Sequence, residues 1–178
     1  FGGLFGCGET QVLEMDDFEN PAFGFVDQGG DLVDKVGGSE GKACASCHED
    51  VSDFAGLRPT LPRVENGELV TMEDLVNECR TDRMGAEPWK YSGSQMTAVT
   101  ALIGLQSRGM SINGAGDGDA APVYERGKDL YYKRVGQLDL ACPNCHEDNY
   151  GVMIRSAHLS QGQINGFPPY LVTQPQPN

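Results

Sequence analysis

Positive charge is scarce in this sequence. Its 178 residues carry 13 Lys and Arg against 26 Asp and Glu, a formal net charge of −13. Nucleic-acid binding needs basic patches that neutralise phosphates, so a polynucleotide partner is excluded. An acidic surface suits electrostatic docking to a basic redox partner, or simple solubility. Long apolar runs are missing too. A bilayer-spanning helix needs about 20 predominantly apolar residues. The best stretch, Met96 to Leu105, is helix-sized and broken by polar residues, so the chain is read as not membrane-spanning. No βαβ pattern is visible. Histidine is rare: of three, His48 and His146 each directly follow a cysteine, and His158 stands apart.

What the chain has instead is two C-x-x-C-H pentapeptides, Cys44-Ala45-Ser46-Cys47-His48 and Cys142-Pro143-Asn144-Cys145-His146. On a helical turn, residues i, i+3 and i+4 share one face. Two thiols can then add to the two vinyl groups of one porphyrin while the adjoining imidazole reaches the iron. This is the attachment pattern of c-type haem. It predicts two covalently bound haems, attached through Cys44, Cys47, Cys142 and Cys145, with His48 and His146 as proximal iron ligands. A zinc knuckle would want two cysteine pairs closing one site. A redox dithiol would occur once, beside a βαβ unit. A histidine abutting the second cysteine fits haem better than either.

The motifs lie in an internal repeat. Gly29, Asp31, Leu32, Lys35, Gly38, Ala43, Cys44, Cys47, His48, Glu49 and Asp50 recur as Gly127, Asp129, Leu130, Lys133, Gly136, Ala141, Cys142, Cys145, His146, Glu147 and Asp148, every pair 98 positions apart. A constant offset indicates duplication of a structural unit. The expected fold is mainly α, with two cytochrome c-like haem units related by internal duplication and an extended N-terminal arm.

The chain divides accordingly. Residues 1–27 form the arm, 28–112 the first cytochrome c-like domain, 113–122 a linker, and 123–178 a second domain that is incomplete at its C-terminus. In the first domain an early helix carries Leu32, Val33 and Val36. A loop closed by Pro59 and Pro62 follows His48. Thr71 caps a helix running to Arg80, and a last helix near Ser94 to Arg108 carries Val99, Leu102, Ile103 and Leu105. The Gly- and Asp-rich stretch Asn113 to Asp119 reads as flexible. Covalent haem and the cysteine usage point to the periplasm. Leu4-Phe5-Gly6-Cys7 resembles a lipoprotein cleavage box, but residues before Cys7 count against processing there.

Longer strings carry a more specific resemblance. They include Asp16-Asp17-Phe18-Glu19-Asn20-Pro21, Asn77-Glu78-Cys79-Arg80, Gln106-Ser107-Arg108-Gly109-Met110 and Gln161-Gly162-Gln163-Ile164-Asn165-Gly166-Phe167-Pro168. With the haem motifs they make the chain similar to the SoxA subunits of the SoxAX cytochromes, dihaem c-type proteins of periplasmic thiosulfate oxidation. The resemblance implies L-cysteine S-thiosulfotransferase activity in the family, a SoxX-like cytochrome or other redox protein as partner, and Cys79 as distal ligand of the first haem. The residues permit that ligand, because Cys79 lies on a helix whose apolar side should face the haem. They also permit a Cys7–Cys79 disulfide, or Met84, Met96 or Met110 as distal ligand.

For the second haem, the resemblance implies a cysteine in an Arg-Gly-Cys-Asn string near the C-terminus, which ligates the iron and carries a persulfide. The 178 residues contain no such string, and the repeat equivalent of Cys79 is Pro177. His158 is then the candidate distal ligand, with Met153, Cys7, water or a side chain from another subunit as alternatives. The expected function is a SoxA-like dihaem cytochrome that transfers electrons in a sulfur-oxidation context without the persulfide cysteine. A subunit of a larger respiratory or photosynthetic complex, or a polymeric cytochrome whose second pocket a neighbour completes, is the alternative. A hetero- or homo-oligomer fits either. If both motifs are used, the intact mass exceeds that of the polypeptide by two haem groups; a gain of one group sinks the duplicated-site reading.

Overall fold

A computed structural model describes residues 16–114, 116–154 and 157–159. Cys7 lies outside them, and so does most of the C-terminal tail. Elements are numbered along the described residues. The first helix, α1, spans Phe23–Val33. The turn expected at Asn20-Pro21 launches it: buried Asn20 accepts the Ala22 N–H through Oδ1 (3.0 Å) and its carbonyl accepts the Phe23 N–H (3.1 Å). The helix thus opens inside the segment read as an arm. It also stops short of Val36, which is 64% exposed. The physical reason is the tight loop that follows, where Gly37 bridges to Lys42 and Gly38 takes a positive φ of 73°. A Cβ at Gly38 would sit 2.0 Å from the Met84 carbonyl oxygen, so only glycine fits this approach.

Next come the first haem motif and two further 3-10 turns, Val51–Phe54 and Arg58–Thr60. An antiparallel hairpin then pairs β1 (Arg63–Glu65) with β2 (Glu68–Val70), with Val64 opposite Leu69. The sequence reading did not anticipate it, although Asn66-Gly67, both at positive φ, is the preferred two-residue hairpin loop. Helix α2 covers Met72–Glu78. Thr71 Oγ1 accepts the Asp74 N–H (3.3 Å) while Asp74 Oδ2 accepts the Thr71 N–H (2.8 Å), a reciprocal cap that satisfies two end donors. The helix does not run to Arg80 in α geometry. From Cys79 to Arg83 it widens into a π turn.

Helix α3, Ser94–Leu105, is the centre of the unit. Residues from Met96 through Gly104 are all buried, so it is enclosed rather than one-sided. Buried Thr100 donates to the Met96 carbonyl (2.8 Å), which keeps its hydroxyl partnered inside the core. The helix ends before Arg108, in a series of tight turns closed by Gly109 at positive φ. One side of α3 meets α1 through Ala22, Val26, Ala101 and Leu102. The other side meets Leu61, Met72 and Val76 through Met96, Val99 and Ile103. At the α1–α3 crossing a Cβ on Gly29 would lie 2.5 Å from the Ala98 carbonyl oxygen and 2.9 Å from Leu102 Cβ.

Within the stretch read as a flexible linker, Asn113 donates its N–H to the Pro59 carbonyl (2.8 Å) and Gly118–Ala120 forms a 3-10 turn. Helix α4 spans Ala121–Tyr132, α5 spans Cys142–His146, and a short hairpin pairs β3 (Met153–Ile154) with β4 (Ala157–His158). Local features recur at the repeat spacing. The Gly37–Lys42 bridge has its counterpart in Val135–Leu140, and positive-φ Gly38 in Gly136. Packing does not recur among the described residues. Helix α4 has no buried residue, Gly127 has nothing within 4 Å of an added Cβ, and Leu130 and Leu138 are 66% and 80% exposed. No helix among the described residues is long and apolar enough to cross a membrane.

Two substitutions in α1 separate packing from helix propensity. Gly29→Ala forces the α1–α3 crossing apart and should destabilise the fold by about 1–3 kcal/mol in chemical denaturation. Gly30→Ala, where an added Cβ meets nothing within 4 Å, should be neutral or stabilising by about 0.5–1 kcal/mol. Equal effects at the two positions would contradict the close crossing.

Candidate haem sites

The first motif forms a 3-10 turn over Cys44–Ser46. The Ala43 N–H donates to Ser46 Oγ (3.0 Å), and the Cys47 and His48 N–H groups both donate to the Cys44 carbonyl (3.1 Å). This single turn turns Cys47 and His48 into the same space. The His48 ring packs on Phe54 with centroids 4.6 Å apart at 49°, which restricts rotation of the imidazole.

A cavity of about 490 Å³ opens beside the turn, lined by Lys42, Cys47, His48, Leu75, Glu78, Cys79 and Arg83. One wall is the motif; the other is the end of α2 and its π turn. π turns of this kind are concentrated at functional sites. The two walls are tied directly. Ser39 N–H donates to the Gly85 carbonyl and Glu40 N–H to the Met84 carbonyl, both at 3.1 Å.

Three methionines considered from the sequence do not line this cavity. Met84 is buried and faces a smaller one of about 150 Å³ with Arg80 and Trp89. Met96 is fully buried in the α2–α3 core, and Met110 is 42% exposed past the end of α3.

Burial pushes the Cys79 thiol up from its ordinary value, with the nearby Cys47 charge adding to the rise; Arg83 and Arg80 pull the other way. Burial likewise raises Cys44, with Cys79 as the next cause. Covalent attachment changes this balance, because a thioether sulfur does not ionise. The Cys47 contribution then disappears, while burial and Glu78 still raise the Cys79 thiol and the two arginines still lower it. The donor set fits a porphyrin: the Cys47 thiol and an imidazole on one wall, the Cys79 thiol with apolar Leu75 on the other, and cationic Lys42 and Arg83 for carboxylates. Among the described residues, no group of three or more His, Cys, Asp or Glu could hold a bare metal ion.

The second motif repeats the local design. In α5 the Ala141 N–H donates to Asn144 Oδ1 (2.9 Å), the role played by Ser46 in the first motif. Asn144 Nδ2 donates to Asp148 Oδ2 (3.1 Å), and Tyr132 donates to Glu147 Oε1 (2.8 Å), joining α4 to the motif. Cys142 is exposed, while Cys145 and His146 are half-buried. In the hairpin, Met153 stands opposite His158 in the strand register, so two candidate distal residues share one rung. The Cys7 alternatives fall outside the described residues.

Within Asn77-Glu78-Cys79-Arg80 the sequence points to a role for Cys79 alone. The structure adds Phe54 behind His48, Lys42 and Arg83 at the cavity, and the side chains of Asn77 and Arg80 on either side of Cys79. The signal available was their spacing: residues two before and one after a candidate ligand.

A helical C-x-x-C-H turn facing a helix-borne thiol across a cavity defines a c-type cytochrome domain, which carries covalently bound haem c. Residues 28–112 match the SoxA/TsdA cytochrome c domain family. The chain is similar to SoxA subunits along nearly its whole length. It is 53% identical over 171 residues to the L-cysteine S-thiosulfotransferase subunit SoxA of Paracoccus pantotrophus, covering 95% of this chain and 59% of that protein. Against the SoxA subunit of Rhodovulum sulfidophilum the identity is 51%, covering 95% and 60%. The crystal structure of SoxXA from P. pantotrophus superposes with a TM-score of 0.85 at 53% identity, over 94% of this chain and 64% of that one. The chain thus spans about three fifths of the length of these relatives, and where it stops says nothing about a persulfide cysteine.

The α2 wall has a predictable acid limit. The Tyr91 hydroxyl bonded to Asp74, followed by the cap at Thr71, holds the Asp74 carboxyl below its ordinary value of 3.8. A depressed folded value means that this stabilisation is complete above 3.8 and is lost as pH falls through the lower folded value. Tyr91→Phe moves that value back up, so acid loss of helicity by circular dichroism should begin at higher pH than in the parent. Superimposable acid transitions would show that the Tyr91 bond contributes nothing.

Proposed function

We propose that the chain is a periplasmic dihaem c-type cytochrome that transfers electrons in thiosulfate oxidation, beside a SoxX-like cytochrome. The observation that carries this reading is the cavity shared by Cys47, His48 and Cys79, in a chain 53% identical to a SoxA subunit. The domain plan is 28–112 and 123–178, extended at the front by the start of α1. The matching bridges, positive-φ glycines and capped motifs support duplication.

Haem supplies a one-electron iron couple. The chain's part is to bind, orient and tune it. Cys44 and Cys47 would anchor the first group, and His48, its ring packed on Phe54, and Cys79 would ligate its iron. An anionic Cys79 sulfur would favour the ferric state and lower the potential. Cys142, Cys145 and His146 repeat the proximal side for the second group. His158 or Met153, paired in register across β3 and β4, would complete it.

Sulfur transfer to a carrier needs a free ionised thiol. With four cysteines in thioethers and Cys79 on iron, Cys7 is left among the 178 residues, and no Lys, Arg or His lies near it in sequence. These residues therefore carry electron transfer and not conjugation. Thiosulfate-dependent haem reduction by the 178-residue chain, together with a mass gain on a carrier cysteine, would overturn this division.

For the first haem, Cys79→Ala should abolish a thiolate-type low-spin signal in low-temperature electron paramagnetic resonance and raise that haem's potential. The second haem's signal should persist. A spectrum unchanged by the substitution would favour the disulfide with Cys7 instead. For the second haem, loss of its low-spin signal in His158→Ala would identify the distal histidine, and retention would favour Met153.

A further inference from the structure

Cys79 stands where the chain leaves α2, widens into the π turn and doubles back. The returning segment is stitched to the helix on both sides of that cysteine. Asn77 Nδ2 donates to the Trp89 carbonyl (3.0 Å), and its Oδ1 accepts the Trp89 N–H (2.8 Å). Arg80 donates from Nε (3.1 Å) and Nη2 (2.9 Å) to the Glu87 carbonyl, and its guanidinium lies 3.8 Å from the centroid of the Trp89 ring. The Ala86 N–H completes the return on the Arg80 carbonyl (2.9 Å).

Two residues flanking a candidate ligand both bond the backbone of one three-residue segment. That segment continues the strip that Ser39 and Glu40 hold against the haem-motif loop. A π turn is a rare register found mostly at functional sites. Relaxation to an α turn would re-aim the side chains at its start. Neither Asn77 nor Arg80 lines the larger cavity, so their hydrogen bonds bear on it by way of Cys79.

We propose that Asn77 and Arg80 are positioning residues for the Cys79 sulfur, clamping the 87–89 segment so that the thiol is held at a fixed reach across the cavity. The inference rests on Cys79 being the distal ligand. Lysine cannot replace Arg80, because a single ammonium lacks the two-pronged donation and the planar stacking face. Outer-shell partners of metal ligands typically matter by about 10- to 100-fold when removed.

The test uses the full haem-loaded chain as parent and as Asn77→Ala, Asn77→Asp, Arg80→Lys and Cys79→Ala variants. The readouts are low-temperature electron paramagnetic resonance of the ferric state and the rate of cyanide binding. In Asn77→Ala and Arg80→Lys the first haem's thiolate signal should split or broaden, and cyanide should bind about tenfold or more faster. The second haem's signal should not move. Asn77→Asp keeps the acceptor for the Trp89 N–H and should fall between parent and Asn77→Ala. If Asn77→Ala does not accumulate, Arg80→Lys and Asn77→Asp carry the same comparison. Parent-like signals and cyanide rates in these variants, with the thiolate signal lost only in Cys79→Ala, would overturn the positioning role and leave the ligand intact. A thiolate signal that survives Cys79→Ala would overturn the ligand reading, and the positioning role with it.

Discussion

The backbone pairing of Ser39 and Glu40 with Gly85 and Met84 holds the haem-motif loop against the strip that follows Cys79. A site of this kind has to keep two walls apart at a fixed distance while the apolar groups around it favour collapse. Backbone hydrogen bonds do this better than side-chain packing, because their geometry is narrow and they do not repack. Gly38 makes the pairing possible, since a side chain there would overlap the Met84 carbonyl. From this pairing the motif fixes one wall and α2 the other.

Behind these walls, α3 is the support. It is enclosed from Met96 through Gly104, with α1 against one face at the Gly29 crossing and the α2 wall against another through Met72 and Val76. A helix with no solvent face carries little directional information in its own sequence, since its position is set by the neighbours that enclose it. The capping box at Thr71 and Asp74 then starts α2 at a definite residue, which sets where Cys79 emerges. Charge follows from the same placement. The arginines beside Cys79 are there because the helix end is there.

The second unit shows what local sequence does without such support. Its turn, cap and bridge match those of the first, yet among the described residues α4 has no buried residue. The short-range geometry of a haem motif is therefore encoded within a few residues. Packing against a crossing helix is a separate contribution.

Much of the site was legible from the chain alone. The i, i+3, i+4 spacing of Cys44, Cys47 and His48 puts them on one turn whatever surrounds them, and the Thr71 cap is a contact between near neighbours. Some local signals were present and unread, as with Asn66-Gly67 and the hairpin it closes. Helix ends were less legible. Val36 has an apolar side chain but falls outside α1, because a loop anchored to distant Met84 takes over first. What no local pattern contains is the facing of Cys79 toward Cys47 and His48, its stitching at Glu87 and Trp89, and the exclusion of Met84, Met96 and Met110 from that space. The sequence by itself determined the chemistry of the attachment turn, because bonded neighbours can meet without help. Only the tertiary structure decided which side chain stands opposite, because that depends on how separate segments share one core.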